Sequence, residues 1–457
     1  MVFSSLEFLL WFLPFFLGIY YLVPGKYRNL CLFVFSMVFY AYGTLRQPLY
    51  LLLLLASAAV NYIFGRLIGR TQGRRRQGML AFGLIYNLGL LVFFKFGGLP
   101  MPIGISFYTF QAVSYLVDVY RGTVACEKKP GYVVLYLTMF PQLISGPITR
   151  FSRIRARLAE RVCSRKTFLR GMEIFLVGLG FKVLLANRFG GLWKNIGGIG
   201  YESVSVSLAW MGIVAYSLQI YFDFYGYSLM AMGLGKMIGF SLPVNFRHPY
   251  LSCTMTEFWR RWHITLGSWF RDYVYIPLGG NRQGKGRTYL NLLIVWCLTG
   301  IWHGNGWNFL IWGLFLFAVI AIEKLWIGRY LNRKRWLGHL YMILLIPLSW
   351  LIFAVTDLRQ LGIYLGRLVG IGGVNVFAGD FVKYLEQYGI FLVIGLLFAT
   401  GLPEKLFFAI RRRGIRWVLL LAVLAGSLYG IWAGPWCGCS APPSGRSCIF
   451  SFSVSIL

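Results

Sequence analysis

Two histidines stand in sequence contexts that could support acid–base chemistry. His263 follows two arginines and a tryptophan, and His303 closes an apolar run that begins at Leu290, 40 positions after His263. The chain has only four histidines. An ionisable side chain at membrane depth is costly, so it usually faces a cavity lined by protein or water and has a function there. The pair therefore predicts a reaction centre.

His303 is the predicted general base. A neutral imidazole can take a proton from a hydroxyl whose oxygen then attacks an acyl carbonyl, which typically contributes ~10²- to 10⁴-fold to the rate. Gly300, Gly304 and Gly306 would let backbone or substrate approach closely, and Trp302 and Trp307 would supply broad apolar walls. The alternative is a core histidine whose nitrogens are satisfied by neighbouring groups.

The elements that carry these residues belong to a chain too apolar for a soluble globule. Of 457 residues, 58% are hydrophobic and only 13% are charged, with a mean hydropathy of +0.65. Apolar stretches recur at residues 5–23, 29–43, 48–69, 78–98, 168–186, 205–222, 290–302, 307–322, 339–355, 390–401 and 417–432. A spanning helix needs roughly 20 apolar residues, so these predict an all-α polytopic membrane protein with about eleven or twelve crossings. Without repeats or soluble segments, residues 1–436 are predicted to form one membrane domain.

The net charge of +31 would indicate nucleic-acid binding in a soluble protein, but membrane topology explains it better here. Basic residues cluster in short connections at residues 66–76, 150–170, 282–287, 324–335 and 405–416. By the positive-inside rule these connections are cytoplasmic. A path that starts with the N-terminus outside satisfies the rule if residues 132–147, which contain Pro141, form a re-entrant hairpin.

Two further segments depart from simple spans. Residues 256–275 mix aromatic and charged side chains, which predicts an amphipathic helix at the interface or folded into the protein; an interfacial anchor with snorkelling arginines is the alternative. The tail, residues 437–457, holds three of the eight cysteines. No histidine lies near them and their spacing is not a standard ligand pattern, so no metal site is predicted. An extracytoplasmic disulfide and a shifted reading frame are the alternatives.

Several long, ordered motifs carry a family resemblance. They are YFDFYGYS at 221–228, EFWRRWHITL at 257–266, WFRDYVYIPLGGNR at 269–282 and GIWHG at 300–304, supported upstream by GISFYTFQ at 104–111, SYLVDVYRG at 114–122 and FPQLISGP at 140–147. These motifs resemble the membrane-bound O-acyltransferase family, and within it the alginate O-acetyltransferase branch. The resemblance extends through about residue 353.

The resemblance implies a helical fold around a central funnel. It assigns His303 to the family's membrane-embedded catalytic histidine and His263 to a second characteristic histidine, which we expect to orient the donor or stabilise charge. It also implies transfer of an acetyl group from cytoplasmic acetyl-CoA to a polysaccharide hydroxyl outside a bacterial plasma membrane, with no bound cofactor. An extracytoplasmic partner of serine-type esterase or transferase fold often completes such transfers. The two histidines would then mark two ends of one path across the membrane.

Charged, polar and aromatic side chains within the motifs are predicted to contact the acyl donor. Guanidinium groups suit the phosphates of coenzyme A, although anionic membrane lipids would be bound equally well. The residues are Arg260, Arg261, Arg271, Asp272, Asn281, Arg282, Trp302 and Asp223. Asp223 could equally accept a structural hydrogen bond. Leu229 stands where the family pattern has an aspartate, so no catalytic carboxylate is assigned there.

Three functions compete at the level of sequence. The first is O-acetylation of an extracellular or cell-wall polysaccharide. The second resembles the D-alanylation of teichoic acids, in which the donor would be an acylated carrier protein and the acceptor a wall polymer. The third is a transporter or channel whose histidines relay protons. For the enzymes, a covalent acyl-histidine is an alternative to direct transfer.

Overall fold

The computed structural model describes residues 1–144 and 146–434, and the regular elements in those ranges are all helices, without a β-strand. The first helices along the chain are α1 (Leu13–Leu22), α2 (Arg28–Gly43), α3 (Leu49–Arg70), α4 (Gly73–Phe96), α5 (Ile105–Arg121), α6 (Pro130–Thr138), α7 (Phe140–Leu143), α8 (Phe151–Ala159) and α9 (Arg165–Gly180). The tail at 437–457 lies outside the described residues.

The residues predicted for the site lie in the helices that follow or in the turns between them. These helices are α10 (Asn187–Ile199), α11 (Val206–Met237), α12 (Met255–Arg261), α13 (Ile264–Phe270), α14 (Gly284–His303), α15 (Trp307–Ile322), α16 (Gly328–Arg333), α17 (Arg335–Ala354), α18 (Leu358–Leu368), α19 (Asp380–Ala399), α20 (Leu402–Ala409) and α21 (Arg413–Trp432). Short π-helical segments lie at Glu7–Phe12, Phe181–Ala186, Arg271–Tyr275 and Glu323–Ile327, and 3-10 turns at Gly25–Tyr27, Tyr201–Ser203 and Pro249–Leu251.

Six helices within the described ranges are long and apolar enough to cross a membrane. They are Leu49–Arg70, Gly73–Phe96, Trp307–Arg333, Arg335–Ala354, Asp380–Ala399 and Arg413–Trp432. The chain is thus confirmed as an all-α, multi-pass membrane protein. The other apolar stretches of the sequence fall in helices such as the 16-residue α2 and the 32-residue α11, many of whose side chains are buried. The prediction of about eleven or twelve crossings counted every apolar stretch of the sequence. Crossings beyond these six helices stay a prediction.

Contacts group the chain into two compact units. Among the described residues, the first contains Met1–Phe175 and Tyr227–Val244, and the second contains Leu176–Gly226 and residues 245–434. The boundary within α11 follows Gly226. A single domain over residues 1–436 and a central funnel stay predictions.

The first unit contains the predicted hairpin. After α6 the chain breaks at Met139, which has extended dihedral angles, and α7 is a single turn. The Tyr136 hydroxyl donates to the carbonyl of Thr149 at 2.7 Å, so the segment folds back on itself. The break follows from Pro141, whose ring fixes φ and removes a donor. The membrane depth of this hairpin stays a prediction.

Residues 256–275, in the second unit, do not form the single amphipathic helix that the sequence predicted, so that prediction was wrong. Instead α12, α13 and the π-helical segment Arg271–Tyr275 follow one another, and the chain turns at His263, whose φ is +42°. The Asn245 carbonyl accepts from the Ile264 amide at 3.0 Å, and the Arg261 carbonyl accepts from the Arg247 amide at 3.0 Å. These backbone bonds to a distant segment stabilise a turn that hydrophobic periodicity does not reveal.

Candidate active site

His303 is the last residue of α14, and three aromatic rings surround its imidazole. The ring centroids of Trp302, Trp312 and Phe353 lie 4.6, 5.1 and 5.1 Å from that of His303. Trp312 and Phe353 meet the imidazole nearly perpendicularly, at 89° and 83°. The predicted apolar wall at Trp302 is therefore one of three, and the other two come from α15 and α17. The side chain of Trp307, the other predicted wall, is 72% exposed.

Glycines on α14, directly after it and on α15 make this arrangement sterically accessible. A Cβ atom on Gly300 would lie 2.4 Å from the carbonyl oxygen of Phe309, and one on Gly304 would lie 2.0 Å from the Phe309 ring. A Cβ atom on Gly313 would lie 2.4 Å from the carbonyl oxygen of Trp296. The sequence predicts that backbone or substrate approaches Gly300 and Gly304 closely. In the structure, the backbone of Phe309 packs against Gly300 and its ring packs against Gly304.

His263 lies in the turn between α12 and α13 and is buried, with 3% of its surface exposed. Its Nδ1 lies 3.1 Å from Oδ1 of Asn245, and that oxygen also accepts from the amide and the hydroxyl of Thr265 at 3.2 and 2.9 Å. A backbone amide can only donate, so the Asn245 atom facing it is an acceptor. His263 must then donate from Nδ1, which leaves a lone pair on Nε2.

The surroundings of His263 keep its imidazole neutral. The Phe224 ring packs against it edge to face, with centroids 4.6 Å apart. Burial lowers the pKa of His263 from its ordinary value of 6.5 to about 3. The side chain can therefore donate a hydrogen bond from Nδ1 and accept one at Nε2, but it carries no positive charge near neutral pH.

A continuous run of ring contacts connects the two histidines. From His303 to His263 the successive centroid distances range from 4.6 to 6.2 Å, through Trp312, Trp350, Trp262, Phe246 and Phe224. Five rings thus stand between the two imidazoles along this route. The assignment of the two histidines to different ends of one path stays a prediction.

A cavity of about 660 Å³ in the second unit has a mostly polar and charged lining: Cys253, Thr254, Thr256, Glu257, Arg260, Arg261, Glu323, Lys324, Gly328, Arg329, Asn332 and Arg335. Five of these side chains are cationic and two are acidic. Both carboxylates are already engaged, because Glu257 pairs with Arg261 and Glu323 accepts from the backbone amides of Met255 and Thr256. The cavity therefore has an excess of positive charge suited to a polyanion.

The structure brings only two of the predicted donor-binding residues into this basic cavity, namely Arg260 and Arg261. Arg271 forms an ion pair with Asp272 at 2.8 Å, and Trp302 packs on His303. Asn281 and Arg282, at the end of the motif at 269–282, are solvent-exposed. His263 is not among the lining residues.

Asp223 forms a 2.6 Å ion pair with Lys182, and both side chains are largely buried. A buried charge is tolerated when it is paired, and removing one partner leaves the other uncompensated. This geometry favours the structural alternative for Asp223. Nothing in the local sequence of Lys182 indicates the pairing, because the two residues lie 41 positions apart.

The sequence interpretation missed several residues that build the site. Lys324, Arg329 and Arg335 were used only as a topology signal, although a cluster of cations near a membrane surface is also a signal for anion binding. Asn245 and Glu323 act through contacts with residues far along the chain. Local sequence patterns do not indicate contacts of this kind.

A family model described as MBOAT, membrane-bound O-acyltransferase family, matches residues 130–343, a range that includes both histidines. A relative from Azotobacter vinelandii, named probable alginate O-acetylase AlgI, is 40% identical over 385 residues, which cover 78% of this chain and 76% of the relative. The chain belongs to the membrane-bound O-acyltransferase family and is an acyltransferase.

Two other relatives show the breadth of this similarity. A peptidoglycan O-acetyltransferase of Helicobacter pylori is 32% identical over 437 residues, covering 82% of this chain and 81% of the relative. A teichoic acid D-alanyltransferase of Streptococcus thermophilus is 31% identical over 247 residues, covering 50% of this chain and 58% of the relative. The similarity to the two O-acetylating relatives extends over much more of the chain.

Proposed function

We propose that this protein takes an acetyl group from cytoplasmic acetyl-CoA and delivers it to a hydroxyl on the other side of a bacterial plasma membrane. The final acceptor is a polysaccharide, reached directly or through an extracytoplasmic partner of esterase or transferase type that is acetylated first. The single observation that carries this proposal is the 40% identity to an alginate O-acetylase over 78% of the chain.

The basic cavity is the proposed anchor for the donor. Coenzyme A carries several phosphate oxyanions, and clustered guanidinium groups bind such oxyanions through charge-assisted, often bidentate hydrogen bonds. Arg260, Arg261 and Arg329 supply guanidinium groups, and Lys324 adds an ammonium. Residues 324–335 form one of the basic connections that the positive-inside rule makes cytoplasmic, so the cavity would open toward the donor.

His303 is the proposed general base. The imidazole takes the proton of the acceptor hydroxyl while the hydroxyl oxygen forms a bond to the carbonyl carbon of the thioester. The carbon–sulfur bond then breaks, and the departing thiolate receives the proton from the imidazole. The reaction yields an acetyl ester and free coenzyme A, and His303 returns to its starting state. The apolar rings around His303 exclude water, which would otherwise compete as the acceptor.

The test is transfer of label from radioactive acetyl-CoA in membranes that contain this protein, its polysaccharide and the neighbouring secreted proteins. We expect ester-linked acetate on the glycan or on a secreted partner. Label absent from both would overturn the proposal.

The teichoic acid D-alanyltransferase relative favours a second candidate reaction. In the reaction we infer, an acylated carrier protein is the donor and a wall polymer is the acceptor. The phosphate on the prosthetic group of a carrier protein would suit the same cations. Ester-linked D-alanine in the presence of the carrier, with no acetate from acetyl-CoA, would select this reaction.

A further inference from the structure

We infer that Asn308 and Ser349 are positioning residues for His303. Their side-chain hydrogen bonds tie α15 to α17, and these two helices present the rings of Trp312 and Phe353 to the imidazole. The inference rests on the proposed function only in taking His303 as the base. Neither residue belongs to the motifs from which the site was predicted.

Asn308 stabilises the C-terminal end of α17 from the start of α15. It is fully buried, and its Nδ2 donates to the carbonyls of Ile352 and Phe353 at 3.2 and 3.1 Å. The last carbonyls of a helix have no partner within the helix, so a side chain from elsewhere can satisfy them. Because α17 ends at Ala354, Asn308 binds carbonyls of this last turn. One of these belongs to Phe353, whose ring packs on His303.

Ser349 makes the second connection. The indole Nε1 of Trp312 donates to the Ser349 hydroxyl at 3.0 Å, and both side chains are buried. An indole packed only by apolar groups could rotate or slide at small cost, whereas a buried N–H that must keep its acceptor fixes the ring. The Trp312 ring is then held at its 89° angle to the imidazole.

The hydrogen bonds of Asn308 and Ser349 act on the two rings that pack against His303. Asn308 fixes the ring of Phe353, Ser349 fixes the ring of Trp312, and His303 is packed against both rings. Dispersion contacts have little directional preference, so the polar bonds determine where the apolar surfaces stand. A displacement of the imidazole by about 1 Å can cost ~10²-fold in rate.

The experiment compares Asn308→Ala, Asn308→Asp, Ser349→Ala and Ser349→Thr in the purified full chain. We expect the first three to lower kcat for acetyl transfer by about 10- to 100-fold with KM for acetyl-CoA unchanged. Asp preserves the size of Asn308 but lacks its N–H donors. Thr preserves the hydroxyl of Ser349, so Ser349→Thr should retain most of the activity.

Asn61→Ala is the matched control. Asn61 is also fully buried and its Nδ2 donates twice, to the carbonyl of Ser57 at 2.9 Å and to Asn87 Oδ1 at 3.0 Å, but it belongs to the first unit and to none of the predicted site motifs. Its loss should lower thermal stability as much as Asn308→Ala does, with kcat per folded molecule retained.

A wild-type kcat in Asn308→Ala, or equal losses of kcat in Asn308→Ala and Asn61→Ala, would overturn the inference. His303→Ala separates this failure from that of the proposed mechanism. An inactive His303→Ala beside a fully active Asn308→Ala overturns the positioning role alone. Activity in His303→Ala overturns the assignment of the base and with it the positioning role.

Discussion

The two histidines differ in what their surroundings permit. His303 is partly buried at a helix end among three aromatic rings, whereas His263 is buried in a turn and hydrogen-bonded to Asn245. Proton transfer needs an imidazole that a substrate can reach, and a fully buried one with a strongly lowered pKa is a poor base near neutral pH. This contrast supports the proposal that His303 is the base, and it suits His263 to a structural or orienting role.

Replacing His303 with alanine tests this at the residue scale. We expect His303→Ala to lower the rate of acetyl transfer by about 10²- to 10⁴-fold, because the contribution of a general base is lost. Transfer is measured with labelled acetyl-CoA, and size-exclusion chromatography checks folding. Donor binding should remain normal, since His303 is not in the basic cavity. Persistent transfer would place the base elsewhere.

The pH dependence of stability tests the environment of His263. The unfolded chain titrates this group near 6.5 and the folded chain only near 3, so the unfolded state binds more protons between these values. The contribution of neutral His263 to the free energy of unfolding is fully present above pH 6.5. It falls by at most about 1.4 kcal/mol per pH unit as the pH drops toward 3.

His263→Gln removes this titration and serves as the comparison. The advantage of the wild-type melting temperature over that of the variant should be constant above pH 7 and shrink between pH 6.5 and 5. A difference that stays constant over the whole range would show that His263 keeps an ordinary pKa.

At the scale of elements, short helices depend on partners from elsewhere in the chain. The seven-residue α12, which carries Arg260 and Arg261, begins with amide groups that have no partner in the helix. Glu323, from the segment after α15, accepts from the Met255 and Thr256 amides at 2.5 and 2.9 Å and from the Thr256 hydroxyl at 2.7 Å. A buried carboxylate at a helix N-terminus also interacts favourably with the helix dipole.

Glu323→Ala should therefore destabilise the protein by about 3 kcal/mol, because buried donors lose a charged acceptor. Glu323→Gln keeps a neutral acceptor and should recover part of the loss. Thermal unfolding in detergent measures both. Asp357→Ala is the control: Asp357 caps α18 through the Gln360 amide at 2.9 Å but is exposed, so its loss should cost only about 1 kcal/mol. Equal losses in the two alanine variants would contradict the role given to Glu323.

At the scale of the whole molecule, positive charge has two consequences. The excess of cations at the connections predicts the orientation of the chain in the membrane, and part of that excess also lines the basic cavity. One region thus combines the signal for topology with a surface whose charge suits a polyanion. Attraction between such a surface and a polyanion weakens as ionic strength rises.

Charge reversal in the cavity tests its role. Arg329→Glu should raise KM for acetyl-CoA by about tenfold or more, because one charge-assisted contact is replaced by repulsion. The effect should diminish as salt is added. Arg359→Glu makes the same charge change at an exposed position on α18, outside the cavity lining, and should leave KM unaltered. Equal KM values for the two variants would exclude the cavity as the donor site.

The local pattern of the sequence was sufficient for much of this description. Hydropathy identified an all-α membrane protein, and ordered motifs around His263 and His303 identified the family. The position of His303 at the end of α14 also follows from the apolar run that it closes. These properties depend on residues near one another in the chain, where composition, helical periodicity and motif order act directly.

Contacts between distant segments were decided only by the tertiary structure. The turn at His263 depends on Asn245, the start of α12 depends on Glu323, and the rings around His303 depend on Ser349 and Asn308. These partners lie 18, 68, 37 and 45 positions from the groups they bind. Their pairing depends on how the helices pack, because a hydrogen bond forms only where packing brings donor and acceptor within about 3 Å. The sequence by itself determined the type of protein and indicated the side chain that we propose reacts, and helix packing determined what holds that side chain in place.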